Sequence, residues 1–391
     1  MCRHEEGMTE LDCSHSCSHH TGSGKEPAKV ISEWLEVMEM QLNENKKNHV
    51  HHEIPYGPMD KQKIDVWGQV GKRMFVFFHG GYWIEGDRKY GTSAVGQLVP
   101  EDVAVACVGY EFASERHTLP ELCEDAGKAV QVLLDKFPST ELIIGGHSAG
   151  AHLAFKAYSK LADTSRISAL FLLCGVYQVE GLEEVYIGKT MGLTVEEAWY
   201  CTCRPEELGV SSDLKIVLLE AEHDTQAIKS AQGQMAEKLK ERGFDVHLEV
   251  IPGSDHFTLV QNLGTQSRES ELLKEIYFTR RHGDVALIFR IWDYTSALSA
   301  ARYVLQFCCP GIAQRLDDQP AFGSFHFYSR SLIFADRFVG CNQFCISSSG
   351  FPQVSRSKGT PERVDDKPVL APFFHIFSTR IENATPTSIC S

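Results

Sequence analysis

The chain has 391 residues, 43% hydrophobic and 23% charged, a composition typical of globular proteins and long enough to bury a large core. Its formal net charge of -14 is concentrated in residues 1–283, which hold 28 basic and 43 acidic side chains. That acid excess argues against nucleic acid and anionic membrane surfaces, which need Lys/Arg patches. No apolar run approaches the ~20 residues of a membrane span, and the polar, His-rich start does not read as a secretion leader. The 13 cysteines are scattered without a disulfide framework, so a cytosolic setting is expected, with the nucleus also open.

Residues 1–27 are rich in Cys, His, Ser and Glu and nearly devoid of large apolar side chains, which predicts a disordered tail ending near residue 30. Cys2, His4, Cys13, His15, Cys17, His19 and His20 offer metal donors there. They lack the Cys-x-x-Cys pairing of a built site, so no metal is assigned. Ile31, Trp34, Leu35, Val37, Met38 and Leu42 recur near helical period and predict an amphipathic helix over 31–44.

Strand and helix signals then alternate. Val50–Tyr56 and Lys61–Trp67 read as a hairpin, and Arg73–Phe78 and Val103–Tyr110 as strands buried on both faces. Leu119–Phe137 reads as a helix with Pro120 in its first turn and Pro138 beyond its end. Glu141–Gly146 is a strand, Ala149–Leu161 a helix and Ile167–Leu173 a strand. Leu214–Ala221 and Val246–Ile251 are further strands flanking a helix over Gln226–Arg242, with helical pattern again in Phe257–Asn262 and Ser267–Phe278. This alternation predicts an α/β fold with a mostly parallel central sheet and helices on both faces. Residues 176–212 interrupt it with Tyr177, Tyr186, Trp199 and Tyr200, aromatics that either line a pocket or pack the excursion onto the domain. Residues 284–391 show no sustained period and no motif. They are expected to be a poorly ordered C-terminal extension outside a catalytic domain spanning 31–283.

Two segments carry the chemistry. Gly146-His147-Ser148-Ala149-Gly150 stands between a strand and a helix, the setting in which a Gly-x-Ser-x-Gly turn holds a serine nucleophile in an α/β-hydrolase. His79-Gly80-Gly81-Tyr82-Trp83 follows an earlier strand, where such a segment supplies backbone N–H groups to an oxyanion hole. Ser148 is therefore the expected nucleophile, with Gly146 and Gly150 keeping the strained turn uncrowded. Gly81, Tyr82 and Ala149 are the expected oxyanion donors, and His79, with Gly80 and Trp83, is expected to shape that loop. A serine needs a base, and the order serine, acid, histidine puts the base beyond the last strand. His256 fits that place better than His247 or His282. Asp224, at the end of the preceding strand, is the expected acid, ahead of Glu222 and Asp255.

Taken together, these two segments and Asp255-His256-Phe257 resemble the kynurenine formamidases (arylformamidases) over about residues 50–280. Glu220–Asp224 and the segments Tyr56-Gly57 and Lys63-Ile64-Asp65-Val66 are similar as well. The resemblance implies an α/β-hydrolase that converts N-formyl-L-kynurenine to L-kynurenine and formate, with Ser148, Asp224 and His256 as its triad. It implies a small aryl formamide as partner and neither metal nor organic cofactor; a homodimer is compatible with it. The family's usual N-terminal region is not recognisable before about residue 30, which leaves substrate preference open. Two other readings stay open: a broad-range carboxylesterase with the same triad, and a non-catalytic hydrolase fold serving as a binding scaffold.

Overall fold

Continuous apolar runs set the architecture. The computed structural model describes residues 8–209 and 213–278. In chain order it runs α1 (Glu10–Ser14), α2 (Pro27–Asn48), β1 (His51–Pro55), β2 (Lys63–Trp67), β3 (Arg73–Phe78), α3 (Val95–Leu98), β4 (Ala104–Val108) and α4 (Leu119–Lys136). It continues with β5 (Glu141–His147), α5 (Ala149–Ser159), β6 (Ile167–Leu173), α6 (Tyr186–Met191), α7 (Val195–Cys201) and β7 (Lys215–His223). Last come α8 (Gln226–Glu241), β8 (Asp245–Asp255), α9 (Thr258–Gln261) and α10 (Arg268–Phe278).

The strands form one sheet in the order β1-β2-β4-β3-β5-β6-β7-β8. From β4 to β8 every pairing is parallel, while β1 and β2 add antiparallel at one edge. Every residue of β4 and β6 is buried, as strands covered on both faces must be. Register matters most between β3 and β5. Phe77 lies opposite Gly145 and Phe78 opposite Gly146, so the loops after the two strands leave the sheet side by side.

Helix α4 shows how local signals cooperate. Thr118 caps it in a reciprocal box with Glu121, whose carboxylate accepts the Thr118 N–H at 2.8 Å, and Pro120 sits in the first turn where no N–H is missed. Its buried stripe, including Leu122, Ala126, Ala129, Val130 and Leu133, packs on α5. Helix α2 is longer than expected and two-faced: Val30, Met38 and Leu42 enter the core, whereas Ala28, Ile31 and Leu35 face a cavity.

The N-terminal expectation is corrected. Residues 8–26 do not behave as a disordered tail. Thr9 and Asp12 close a capping box on α1, and Asp12 also accepts the Tyr186 N–H at 2.8 Å. The Tyr82 hydroxyl donates to the carbonyl of His15 at 2.8 Å, and Cys13 and Cys17 are buried. Tertiary hydrogen bonds thus supply the order that low apolar content withholds. Cys13 is disulfide-bonded, which the reading of scattered reduced thiols does not anticipate. Strand β8 also runs beyond the expected Ile251, through Pro252 and Gly253 to Asp255. The expected extension over 284–391 lies outside the described residues.

Candidate active site

The turn between β5 and α5 is built by close backbone approach. Ser148 has φ 57° and ψ -122°, a left-handed region that non-glycine residues occupy only under constraint. A Cβ at Gly146 would stand 2.1 Å from the Gly150 carbonyl oxygen, and one at Gly150 would stand 2.1 Å from that of Phe78. Only glycine fits either place. The Ser148 N–H donates to the carbonyl of Leu173 at the end of β6, at 2.8 Å, so the neighbouring strand also fixes the turn.

Asp224, just after β7, and His256, just after β8, meet at the same edge. The His256 Nδ1–H donates to Asp224 Oδ2 at 2.7 Å, and Asp224 Oδ1 accepts the Thr225 N–H at 2.7 Å. Burial alone would push the Asp224 carboxyl up; the facing imidazole and the Thr225 N–H outweigh it and hold the group below its ordinary value. Burial likewise opposes a charged His256, yet the Asp224 carboxylate raises the imidazole well above its usual value. His147 Nε2–H donates to the carbonyl of His256 at 2.8 Å and anchors the backbone there.

Ser148 and His256 line one cavity of about 500 Å3. Among the described residues the Ser148 hydroxyl makes no hydrogen bond to His256. Instead, one donor atom each from Cys17, Asp224 and His256 lies within 4.8 Å of the other two. Burial raises the Cys17 thiol, so it stands beside the imidazole as a neutral group. Sequence reasoning placed Cys17 in a tail, and only its docking could have revealed it here. The other cavity walls are rich in aromatic side chains, Trp34, Tyr82, Tyr90, Tyr186 and Phe257 among them, with aliphatic Ile31, Leu35 and Val260 beside them.

Above the serine, Gly81 has φ 116°, and a Cβ on it would stand 2.3 Å from the Glu85 carbonyl oxygen. Tyr82 and Trp83 follow with φ 45° and 63°. Among the described residues, no protein acceptor takes the N–H groups of Gly81, Tyr82 or Ala149. Trp83 is fully buried and its Nε1–H donates to His152 Nδ1 at 3.1 Å, while His152 Nε2–H donates to the Cys201 carbonyl at 2.8 Å. This chain of bonds ties the glycine loop to α5 and α7. His79 stacks on Tyr110 at 4.1 Å between centroids, and its Nδ1–H donates to the Gly80 carbonyl at 2.7 Å. Its burial lowers its pKa to about 4, so it stays neutral and shapes the loop.

The rival residues fall elsewhere. Glu222 accepts the Gly253 N–H at 2.7 Å at the surface, and Asp255 accepts the N–H groups of Phe257 and Thr258. His247 bonds Glu249 at 2.8 Å, and His223 is exposed against Gly22. His282 lies outside the described residues. Of the four aromatics of the excursion, Tyr186 borders the cavity and Tyr177 is buried away from it, while Trp199 and Tyr200 are exposed.

The sheet order, the strained turn and the paired loops give this chain the α/β-hydrolase fold. A family model described as alpha/beta hydrolase fold matches residues 75–260. A solved esterase from Pyrobaculum calidifontis superimposes with a TM-score of 0.51 at 18% identity, covering 65% of this chain and 93% of its own, a likeness of fold. At the finer level the chain is similar to kynurenine formamidases. That of Drosophila melanogaster is 27% identical over 68% of this chain and 97% of its own length. That of Salmo salar is 27% identical over 54% of this chain and 76% of its own.

Proposed function

We propose that the chain is a serine hydrolase of aryl formamides, with N-formyl-L-kynurenine as its substrate and Ser148, His256 and Asp224 as its triad. The observation that carries this reading is the 2.7 Å Asp224–His256 pair opening on the cavity that holds Ser148 beneath three unclaimed N–H groups. Ser148 Oγ attacks the formyl carbon while His256 takes its proton, and Asp224 stabilises the resulting imidazolium. The oxyanion rests on the N–H groups of Ala149, Gly81 and Tyr82, each worth about 3 kcal/mol in such chemistry. The imidazolium then protonates the departing arylamine, leaving a formyl ester on Ser148. His256 next deprotonates water, which attacks the ester, and the imidazolium returns the proton to Ser148 Oγ as formate leaves. The resting Ser148–His256 separation closes as substrate binds, as catalytic hydrogen bonds commonly do. The homology to kynurenine formamidases and the aromatic walls support an aryl substrate.

One observation favours a second reading. No Lys or Arg is among the described residues that line the cavity, so none pairs there with a substrate carboxylate. That is the lining expected of a broad carboxylesterase. The ratio of kcat/KM for N-formyl-L-kynurenine over a short p-nitrophenyl ester decides between them. A large ratio supports the formamidase; a preference for the ester replaces it with the second reading.

A further inference from the structure

We propose that Cys17, His256 and Asp224 form a binding site for a thiophilic divalent cation, with Zn2+ as the reference, and that the bound cation switches the enzyme off. The three side chains come from separate elements, the N-terminal segment and the ends of β7 and β8, and all are buried. Their donor atoms lie within 4.8 Å of one another, and among the described residues no other set of three His, Cys, Asp or Glu converges in this way. Tetrahedral zinc, with bonds of about 2.0–2.3 Å, places its donors about 3.3–3.7 Å apart, so a modest closure seats the ion. The fourth corner is left to water from the cavity.

The donor set selects the metal. A thiolate with an imidazole suits Zn2+ or Co2+ and not Mg2+ or Ca2+, which prefer all-oxygen shells. Charge also fits the burial. A divalent cation with one thiolate and one carboxylate forms a neutral group, which avoids the cost of an unpaired buried charge. The step balances: the hydrated cation sheds three waters and gains one bond each to sulfur, nitrogen and a carboxylate oxygen, while the Cys17 thiol, and His256 where it is protonated, each lose one proton to solvent, with no change of oxidation state. Because protons leave as the ion enters, binding tightens as pH rises.

The consequence for the reaction follows from the ring. Coordination through Nε2 occupies the lone pair that would take the Ser148 proton. Coordination through Nδ1 breaks the bond to Asp224. In either case the base is lost. Among the described residues, His15, His19 and His20 do not join the cluster; His19 Nδ1 stands 3.8 Å from Cys13 Sγ. Coordination rests on geometry alone, whereas its inhibitory effect rests on the proposed role of His256.

The test is a Co2+ titration of the full chain, followed by absorbance. The wild type and Ser148→Ala, which keeps all three donors, should each bind one ion with a thiolate-to-cobalt band in the near ultraviolet that Zn2+ displaces. Cys17→Ser should lose that band, and His256→Ala should weaken binding at least tenfold, with circular dichroism verifying that each variant is folded. No such band in the wild type, or the same band and affinity in folded Cys17→Ser, overturns the site. Zn2+ should inhibit the wild type reversibly by EDTA. In Cys17→Ser its midpoint, taken against that variant's own metal-free rate, should rise at least tenfold; an unmoved midpoint overturns the inhibition. Cobalt binding by a chain inactive on every substrate would uphold the site and sink the catalytic reading.

Discussion

At the scale of single residues, the proposed mechanism divides labour between a hydroxyl held in a strained turn and an imidazole held by a carboxylate. Ser148→Ala removes the attacking atom and little volume. It should lower kcat by several orders of magnitude with an unchanged melting temperature, and wild-type turnover in that variant would take Ser148 out of the mechanism. His256 acts as a base only when neutral, and Asp224 raises its pKa against the opposing effect of burial. Activity should therefore fall with acid at a midpoint above the ~6.5 of a free imidazole. Asp224→Asn should move that midpoint downward and cut the plateau rate by about 10^4. A kcat/KM profile whose midpoint ignores that substitution would exclude this pairing. The placing of Ser148 and Asp224 was legible because each follows a largely apolar run of strand length, that of His256 because it follows the last strand and its Pro252–Asp255 continuation, and the parallel sheet carries all such ends to one edge. Cys17 was not, because nothing in its neighbours in sequence indicates that the Tyr82 hydroxyl and the Tyr186 N–H hold its segment down.

At the scale of elements, the N-terminal segment and α2 wall the cavity while the proposed reacting groups come from the sheet edge. Removing residues 1–26 should raise KM for an aryl formamide at least severalfold and leave kcat on a small ester near that of the full chain. Steady-state kinetics on both substrates reads this directly, and a folded variant with unchanged KM would mean that the segment does not shape binding. Strands β3 to β7 were legible as uninterrupted apolar runs. Their spatial order was not, since the placing of β4 outside β3 follows from crossover handedness and not from composition. Strand β8 was legible only in part, because Pro252 and Gly253 interrupt its pattern although the chain continues extended through them.

At the scale of the whole molecule, every described functional group belongs to residues 8–278, and the sheet closes its core there. A chain ending at residue 283 should keep kcat/KM within about twofold of the full chain, which expression and assay of the truncated protein would check. An insoluble or inactive product would give residues 284–391 a structural part. No helix among the described residues is long and apolar enough to cross a membrane.

The three uncharged imidazoles packed round the serine have a thermodynamic side. Burial lowers His79 to about 4 and His147 and His152 to about 3, whereas each regains ~6.5 once unfolded. Unfolded chains therefore bind the extra protons. The stabilisation is complete above ~6.5 and drains away as pH drops toward those low values, at about 1.4 kcal/mol per pH unit for each ring. Mild acidity should thus melt the protein, not merely silence it, with thermal denaturation temperatures sliding steeply between pH 6 and pH 4.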